Sequence, residues 1–464
     1  MQDGYSKILE MRDRLNAVSP SLCLAKWLQV SIHLPTGRTH SCYHPMSHKI
    51  PLNEIAVNPS ALHNTNYKKH QRKTMLEGKR PAECDYCWKV EDLSGNHVSD
   101  RHIRSSEDWA APEFKTVVDA PWTVDIAPKY VEVNFNQACQ LKCSYCSPQL
   151  STTWMQEIKE RGFYPTLHGH NRLDWLEKND LVPIPPSQPN PYVDAFWKWW
   201  PDVYPQLRVF RMTGGEPLID PNTFRVLEYV TENPNPNLTL SLTSNMCPPD
   251  KAFDRFLAHA KDLTEKKSIQ QFSLFASIDS VGAQAEYIRF GLNYEQFNRN
   301  VEKYLAIDGT VISFILTFNN LCVGSLKNYL DWIIDLRKRY STSGSQRIHF
   351  DTPFLRAPEY MSLQMLDEET KTKLREVIDS AQTLVSPEGD LTGLTETEMA
   401  KLRRLAAWAS EDVNEQFRSL KRADFFLFFR EHDVRRGTHF LKTFPELESF
   451  WNLCREEAAQ HGRT

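Results

Sequence analysis

Residues 131–151, VEVNFNQACQLKCSYCSPQLS, decide how this chain is read. Val131 to Phe135 form an apolar run suited to a buried strand. The loop that follows carries Cys139, Cys143 and Cys146 at spacing Cys-x3-Cys-x2-Cys, with Tyr145 just before the last. An iron–sulfur cubane is normally held by four thiolates. Three thiolates in one loop hold three irons and leave the fourth open, as a catalytic zinc keeps one position free. A cluster with a vacant iron can bind a ligand and act on it. Taken alone, the loop also admits a structural zinc site completed by a histidine.

A second stretch narrows the choice. Residues 208–220, RVFRMTGGEPLID, form another apolar run ending in Thr213-Gly214-Gly215-Glu216-Pro217. Two glycines let the backbone approach a ligand, and the carboxylate beside them suits an ammonium group. In isolation the segment also reads as a strand followed by an ordinary turn.

Together the two motifs resemble the radical S-adenosylmethionine (SAM) enzymes. In that family the cubane is held by Cys-x3-Cys-x-aromatic-Cys, and a Gly-Gly-Glu-Pro segment binds the methionine amino group. The resemblance implies a [4Fe-4S] cluster on Cys139, Cys143 and Cys146, with SAM as cofactor and a flavodoxin or ferredoxin as electron donor. It implies reductive cleavage of SAM to a 5′-deoxyadenosyl radical that abstracts a hydrogen atom from substrate. Gly214, Gly215, Glu216 and Pro217 match the amine-binding segment, and Tyr145 the aromatic position near adenine. Ser244 and Asn245, then Ser277, Asp279 and Arg289, match further polar contacts to the cofactor. Asp279 is as well suited to capping a helix. Asn319 and Asn320 either touch adenine or shape a turn.

Strands are predicted at 131–135, 208–213, 238–244, 272–279, 310–319 and 347–354, with amphipathic helices between them, such as 222–232 and 294–307. Near-continuous apolar strands with helical crossovers indicate an α/β fold with a parallel sheet. The expectation is a partial (β/α)6 barrel over 126–360, preceded by a small cysteine-rich β-hairpin module over 1–125. A helical C-terminal extension covers 361–464. Ligands in such folds lie at the carboxyl ends of strands. Prolines bar a helix from the first half of LVPIPPSQPNPYVDAFWKWWPDVYPQL, and Trp197, Trp199 and Trp200 read as packing residues. The polar stretch 386–397 reads as a loop or hinge. Arg403, Arg404, Arg435 and Arg436 read as a solvated basic face.

Cys23, Cys42 and the Cys84-x2-Cys87 knuckle make a second, four-thiolate set. Spacing alone favours structural zinc, with an auxiliary iron–sulfur cluster as the other reading. SLCLAKWLQVSIHLPTGRTHSCYHP resembles the twitch or SPASM hairpin modules that carry auxiliary clusters, which tips the balance to iron–sulfur. The module usually follows the barrel; here it precedes it, as in a subgroup with an N-terminal twitch domain. NTNYKKHQRKTMLEGKRP, between the ligands, reads as a solvated basic amphipathic helix. Of the remaining cysteines, Cys454 reads as either a small buried hydrophobe or an exposed thiol. Cys247 and Cys322 follow predicted strands and are weak candidates for hydrogen-atom donors.

Net charge is −4, which gives no sign of a general nucleic-acid or membrane-surface binder. No run of about 18 apolar residues occurs, and the polar start lacks a signal peptide. A cytoplasmic protein with reduced thiols is expected. The substrate reads as a peptide undergoing crosslinking, epimerisation or oxidation. The alternatives are dehydrogenation or epimerisation of a sugar or other small metabolite, or a metal-binding scaffold without catalysis.

Overall fold

A computed structural model describes residues 2–93, 97–169, 171–341, 346–387 and 389–463. The chain forms two compact units. The first comprises Met1–Gln137, Pro183–Ser241 and Lys267–Gln270; the second comprises Ala138–Val182, Leu242–Lys266 and Gln271–Thr464.

The strands are β1 (Gln29–His33), β2 (Arg38–His40), β3 (His48–Lys49), β4 (Tyr130–Asn134), β5 (Lys142–Cys143) and β6 (Val209–Thr213). They continue with β7 (Asn235–Ser244), β8 (Ile269–Ser277), β9 (Arg289–Phe290), β10 (Thr310–Ile315) and β11 (Ile348–Asp351). In the first unit, β4 lies parallel to β6, with Tyr130 opposite Val209 and Asn134 opposite Thr213. In the second, β10 pairs in parallel with both β8 and β11. Strands β4, β6, β7, β8, β10 and β11 are each followed by a helix before the next begins, so the α/β fold and its six repeats agree with the predicted partial barrel. The predicted strand over 310–319 stops earlier, at Ile315. Beyond it Asn319 and Cys322 fold into a short 3₁₀ turn, whose own side-chain caps compete with extended backbone.

The N-terminal hairpin is present: β2 returns antiparallel on β1, with Ser31 opposite His40. Strand β1 also pairs in parallel with β4 along five positions, from Gln29 opposite Tyr130 to His33 opposite Asn134. The hairpin is thus hydrogen-bonded to the first strand of the α/β repeats.

Two expectations about charge are corrected. The basic helix forms over Asn66–Leu76, capped by Thr65, but Lys68 and Arg72 are buried rather than solvated. Lys68 Nζ lies 2.8 Å from His63 Nδ1, and Arg72 donates to Asn64 Oδ1 at 2.9 Å. Likewise only Arg403 and Arg404 face solvent. Arg436 is buried on the helix Glu415–Arg436, over the Trp154 ring, and donates to the Lys142 carbonyl. Arg435 stacks on Tyr164 and donates to the Gly162 carbonyl. Stacking and carbonyl contacts take the place of solvation for these planar cations.

The tryptophans pack as expected. Trp199 and Trp200 are buried, and Arg225 sits 3.8 Å over the Trp197 ring. Their helix, Pro191–Val203, starts where the proline-rich segment ends, capped by Asn190. The stretch 386–397 is irregular up to the helix Glu396–Ser410, with residue 388 outside the described residues. The residues after β11 are helical, with Glu368–Ala381, Glu396–Ser410, Glu415–Arg436 and Glu448–Gln460 as the longest helices; the last two pack together. They pack through Phe425 against Phe450, and Phe440 stacks on Trp451 at 4.4 Å. Cys454 is fully buried there.

Candidate functional sites

Strands β4 and β6 end side by side, so the cysteine loop and the Gly-Gly-Glu-Pro segment leave from neighbouring carboxyl ends. Gly214 has φ +134°, a conformation side chains rarely adopt, and a Cβ there would lie 2.4 Å from Asn134 Oδ1 and 2.9 Å from the Asn136 carbonyl. Gly215 N donates to that same carbonyl at 3.3 Å. Glu216 is buried to 1 % exposure, and its carboxylate accepts from Leu218 N at 3.1 Å, opening the turn Pro217–Ile219. Among the described residues, two buried side-chain oxygens of the same unit, Asn134 Oδ1 and Gln137 Oε1, find no hydrogen-bond partner. Buried acceptors without donors are costly, so this cradle suits a ligand that brings N–H or O–H groups, as an ammonium does. Asn134 and Gln137 were not predicted; the signal was a polar residue closing an otherwise apolar strand.

In the second unit, Cys143 lies on β5 opposite Arg289 of β9. Cys146 N donates to the Cys143 carbonyl at 2.9 Å, and Trp154 Nε1 donates to the same oxygen at 2.9 Å. Cys139 N donates to Thr152 Oγ1, which ties the start of the loop to the helix Thr152–Arg161. Burial raises the Cys143 and Cys146 thiols above their ordinary values, and neighbouring thiols add to this for Cys146. Arg289 acts the other way on both, its Nη1 standing 3.7 Å from the Cys143 sulfur.

Tyr145, Asp279 and Arg289 meet in one buried group. Arg289 Nε stands 2.7 Å from Asp279 Oδ2, Tyr145 OH donates to Asp279 at 2.8 Å, and Thr317 N donates to Asp279 Oδ1 at 3.0 Å. Arg289 also donates to Tyr145 OH at 2.5 Å. Burial opposes the charge on Arg289, yet Asp279 holds its pKa well above the ordinary value. Asp279 does not cap a helix, since the following helix, Gly282–Ile288, has Val281 at that position. Its carboxylate instead anchors the arginine that faces Cys143.

The other expected contacts shape turns. Ser244 Oγ accepts from Met246 N, and Asn245 Oδ1 accepts from Cys247 N and from Gln140 Nε2. Asn319 Oδ1 accepts from Leu321 N, and Asn320 Nδ2 donates to the Tyr360 carbonyl. Ser277 closes β8 opposite Ile315. Cys247 Sγ donates to the Asn293 carbonyl at 3.3 Å, and Cys322 Sγ accepts from Asn319 N; both thiols are buried.

The four N-terminal cysteines, all in the first unit, line one cavity together with Lys26, Tyr43, His44, Trp88, Arg101 and Arg104. Cys23 precedes β1, and Cys42 follows β2, which returns to the same end. Next to Cys42, Tyr43 OH lies 2.5 Å from the hydroxyl of Tyr130, the first residue of β4. This set therefore sits at the amino ends of the strands. Burial raises the Cys42 and Cys87 thiols to about 12, and Cys23 adds to both. Lys26 is opposed by its own burial, but Cys84 and Glu83 raise its pKa. Among the described residues no three His, Cys, Asp or Glu side chains converge on a point as ligands of a single ion do. Lys26, Glu83 and Arg101 carried no sequence signal, because their partners are distant in the chain.

No family model matches the sequence, and no curated protein matches it either. Solved structures with some likeness include native anSMEcpe with bound AdoMet and Kp18Cys peptide, at 15% identity and TM-score 0.30, over 54% of this chain and 60% of that one. Another is Streptococcus suis SuiB bound to precursor peptide SuiA, at 11% identity and TM-score 0.34, over 80% of this chain and 71% of that one. The chain thus spans 60% of the length of the first. At these scores neither likeness bears on what this chain binds. Among the described residues, no helix is long and apolar enough to cross a membrane.

Proposed function

We propose that this chain is a radical SAM enzyme that removes a hydrogen atom from a peptide substrate. The observation that carries the reading is the pairing of β4 with β6, whose carboxyl ends release the Cys-x3-Cys-x-Tyr-Cys loop and the Gly-Gly-Glu-Pro segment side by side. Cys139, Cys143 and Cys146 would hold the [4Fe-4S] cluster. The cradle of Gly214, Gly215, Glu216 and Asn134 would hold the methionine amine, where Asn134 Oδ1 lacks a donor. Bound there, cluster and SAM supply the 5′-deoxyadenosyl radical that does the chemistry. The chain's own part is to orient the cofactor, keep water out and hold the substrate carbon at contact distance. Asp279 fixes Arg289 beside the Cys143 sulfur, so one ligand carries a permanent cationic neighbour.

The N-terminal cysteines would hold an auxiliary iron–sulfur cluster that takes the electron left on the substrate, making the overall change a two-electron oxidation. Its four-cysteine lining supports a closed cluster that does not itself bind substrate.

The test is anaerobic reconstitution with iron and sulfide, followed by SAM and dithionite. The expected products are 5′-deoxyadenosine and methionine, lost in Cys143→Ala. Iron-loaded protein that binds SAM but yields no 5′-deoxyadenosine would reject the reading. Incubation with candidate peptides and with sugar nucleotides, read by mass loss, separates the peptide reading from a small-metabolite one.

A further inference from the structure

The wall of the N-terminal cavity holds a cation that the cluster reading alone does not explain. Lys26 is 2% exposed and forms an ion pair with Glu83. Lys26 lines the same cavity as Cys84 and the other three cysteines, and Cys84 adjoins Glu83 in the chain. Glu83 is held in turn by Tyr67 OH, which donates to its second oxygen at 3.0 Å. The ammonium is therefore held by one carboxylate in the wall of the cysteine-lined cavity, where it is shielded from water. A second cation of the same wall, Arg101, is engaged through Nε and Nη2 by Glu91, each at 2.9 Å, and by the Leu22 carbonyl. Arg101 shares its charge between Glu91 and a backbone carbonyl, whereas Lys26 is paired with Glu83, the residue next to Cys84.

We infer that Lys26 and Glu83 form a paired device that sets the reduction potential of the N-terminal cluster, Lys26 raising it and Glu83 moderating the rise. The inference rests on the reading of these cysteines as iron–sulfur ligands. When the cluster takes up one electron its charge becomes more negative by one unit and its sulfurs become better hydrogen-bond acceptors. A buried ammonium in the wall around the cysteines stabilises the more negative, reduced form more than the oxidised form, and the charge around a cluster is among the features that set its potential. In a cavity of low dielectric this charge is weakly screened. Removing Lys26 must then make the cluster harder to reduce, and removing the Glu83 charge must make it easier.

The experiment uses the full chain carrying Cys139, Cys143 and Cys146→Ala, so that only the N-terminal site can hold a cluster. The protein is reconstituted with iron and sulfide, its metal is counted, and it is titrated with a dissolved reductant while electron paramagnetic resonance reports the reduced cluster. Lys26→Met is expected to lower the potential by at least about 59 mV, a tenfold shift in a one-electron equilibrium. Glu83→Gln is expected to raise it, and Lys26→Arg to keep it near the parent value. If Lys26→Met fails to hold a cluster, Glu83→Gln decides alone. A potential unmoved or lowered in Glu83→Gln overturns the inference, as does one unmoved in Lys26→Met. A parent protein that takes up zinc and no iron overturns the cluster reading itself, and this inference with it.

Discussion

Asn134 and Gly214 face each other at the carboxyl ends of two adjacent parallel strands, so close that a Cβ on Gly214 would meet the Asn134 Oδ1 at 2.4 Å. The contact explains why the position needs glycine twice over, for its φ and for its lack of a side chain.

Gly214→Ala should therefore weaken SAM binding at least tenfold, about 1.4 kcal/mol, as read by calorimetry on reconstituted protein. The strained φ should add a loss of stability of about 1–3 kcal/mol in the apo-protein. Undiminished affinity would remove this segment from the cofactor site.

Asp279 and Arg289 are nearly inaccessible, and each is the other's charge partner. Asp279→Ala leaves the guanidinium buried and uncompensated, so urea denaturation of the apo-protein should show a loss of about 3–5 kcal/mol. The double variant Asp279→Leu with Arg289→Met should lose clearly less.

His432 is fully buried against the Tyr287 ring. Burial pushes its pKa down to about 4, with Arg436 adding to the fall and Asp433 opposing it. The depressed folded value means that the neutral form is favoured on folding. Its contribution is present above the unfolded value near 6.5 and is lost as pH falls from there towards about 4. Between pH 7 and pH 5 the wild type should lose about 2 kcal/mol more than His432→Phe, measured by urea denaturation at each pH.

Cys247 and Cys322 are both buried, and their sulfurs are engaged by backbone atoms of turns. Cys247→Ala and Cys322→Ala should leave 5′-deoxyadenosine formation unchanged. Cys322→Ala should lower stability by about 1 kcal/mol through the lost contact to Asn319 N. Loss of turnover in a variant that keeps its cluster would restore the donor reading for that thiol.

The strands and their carboxyl ends were legible because burial imposes a pattern that survives in one dimension. Val131 to Phe135 and the Gly-Gly-Glu-Pro junction stand out without any partner. Charges were misread where their surroundings come from elsewhere in the chain. Lys68 looks solvated until His63 is placed beside it, and Arg436 until Trp154 and Glu157 close over it. Asn134 reads as an ordinary strand residue until Gly214 arrives opposite. Asp279 lies at a strand end, as expected, but its cap-like position is not used as one because Arg289 and Thr317 take its oxygens first.

The Tyr43–Tyr130 contact ties the N-terminal cysteines to the start of β4, while Gly214 adjoins its end. Four steps along an extended strand cover about 13 Å, so on the proposed reading a reacting carbon beside Gly214 would lie beyond contact with a cluster at the near end. Whatever such a cluster gave or received would then travel through the protein as charge. It would work as a terminal on the outer circuit, able to be charged, discharged or damaged by oxygen without opening the place where bonds are broken.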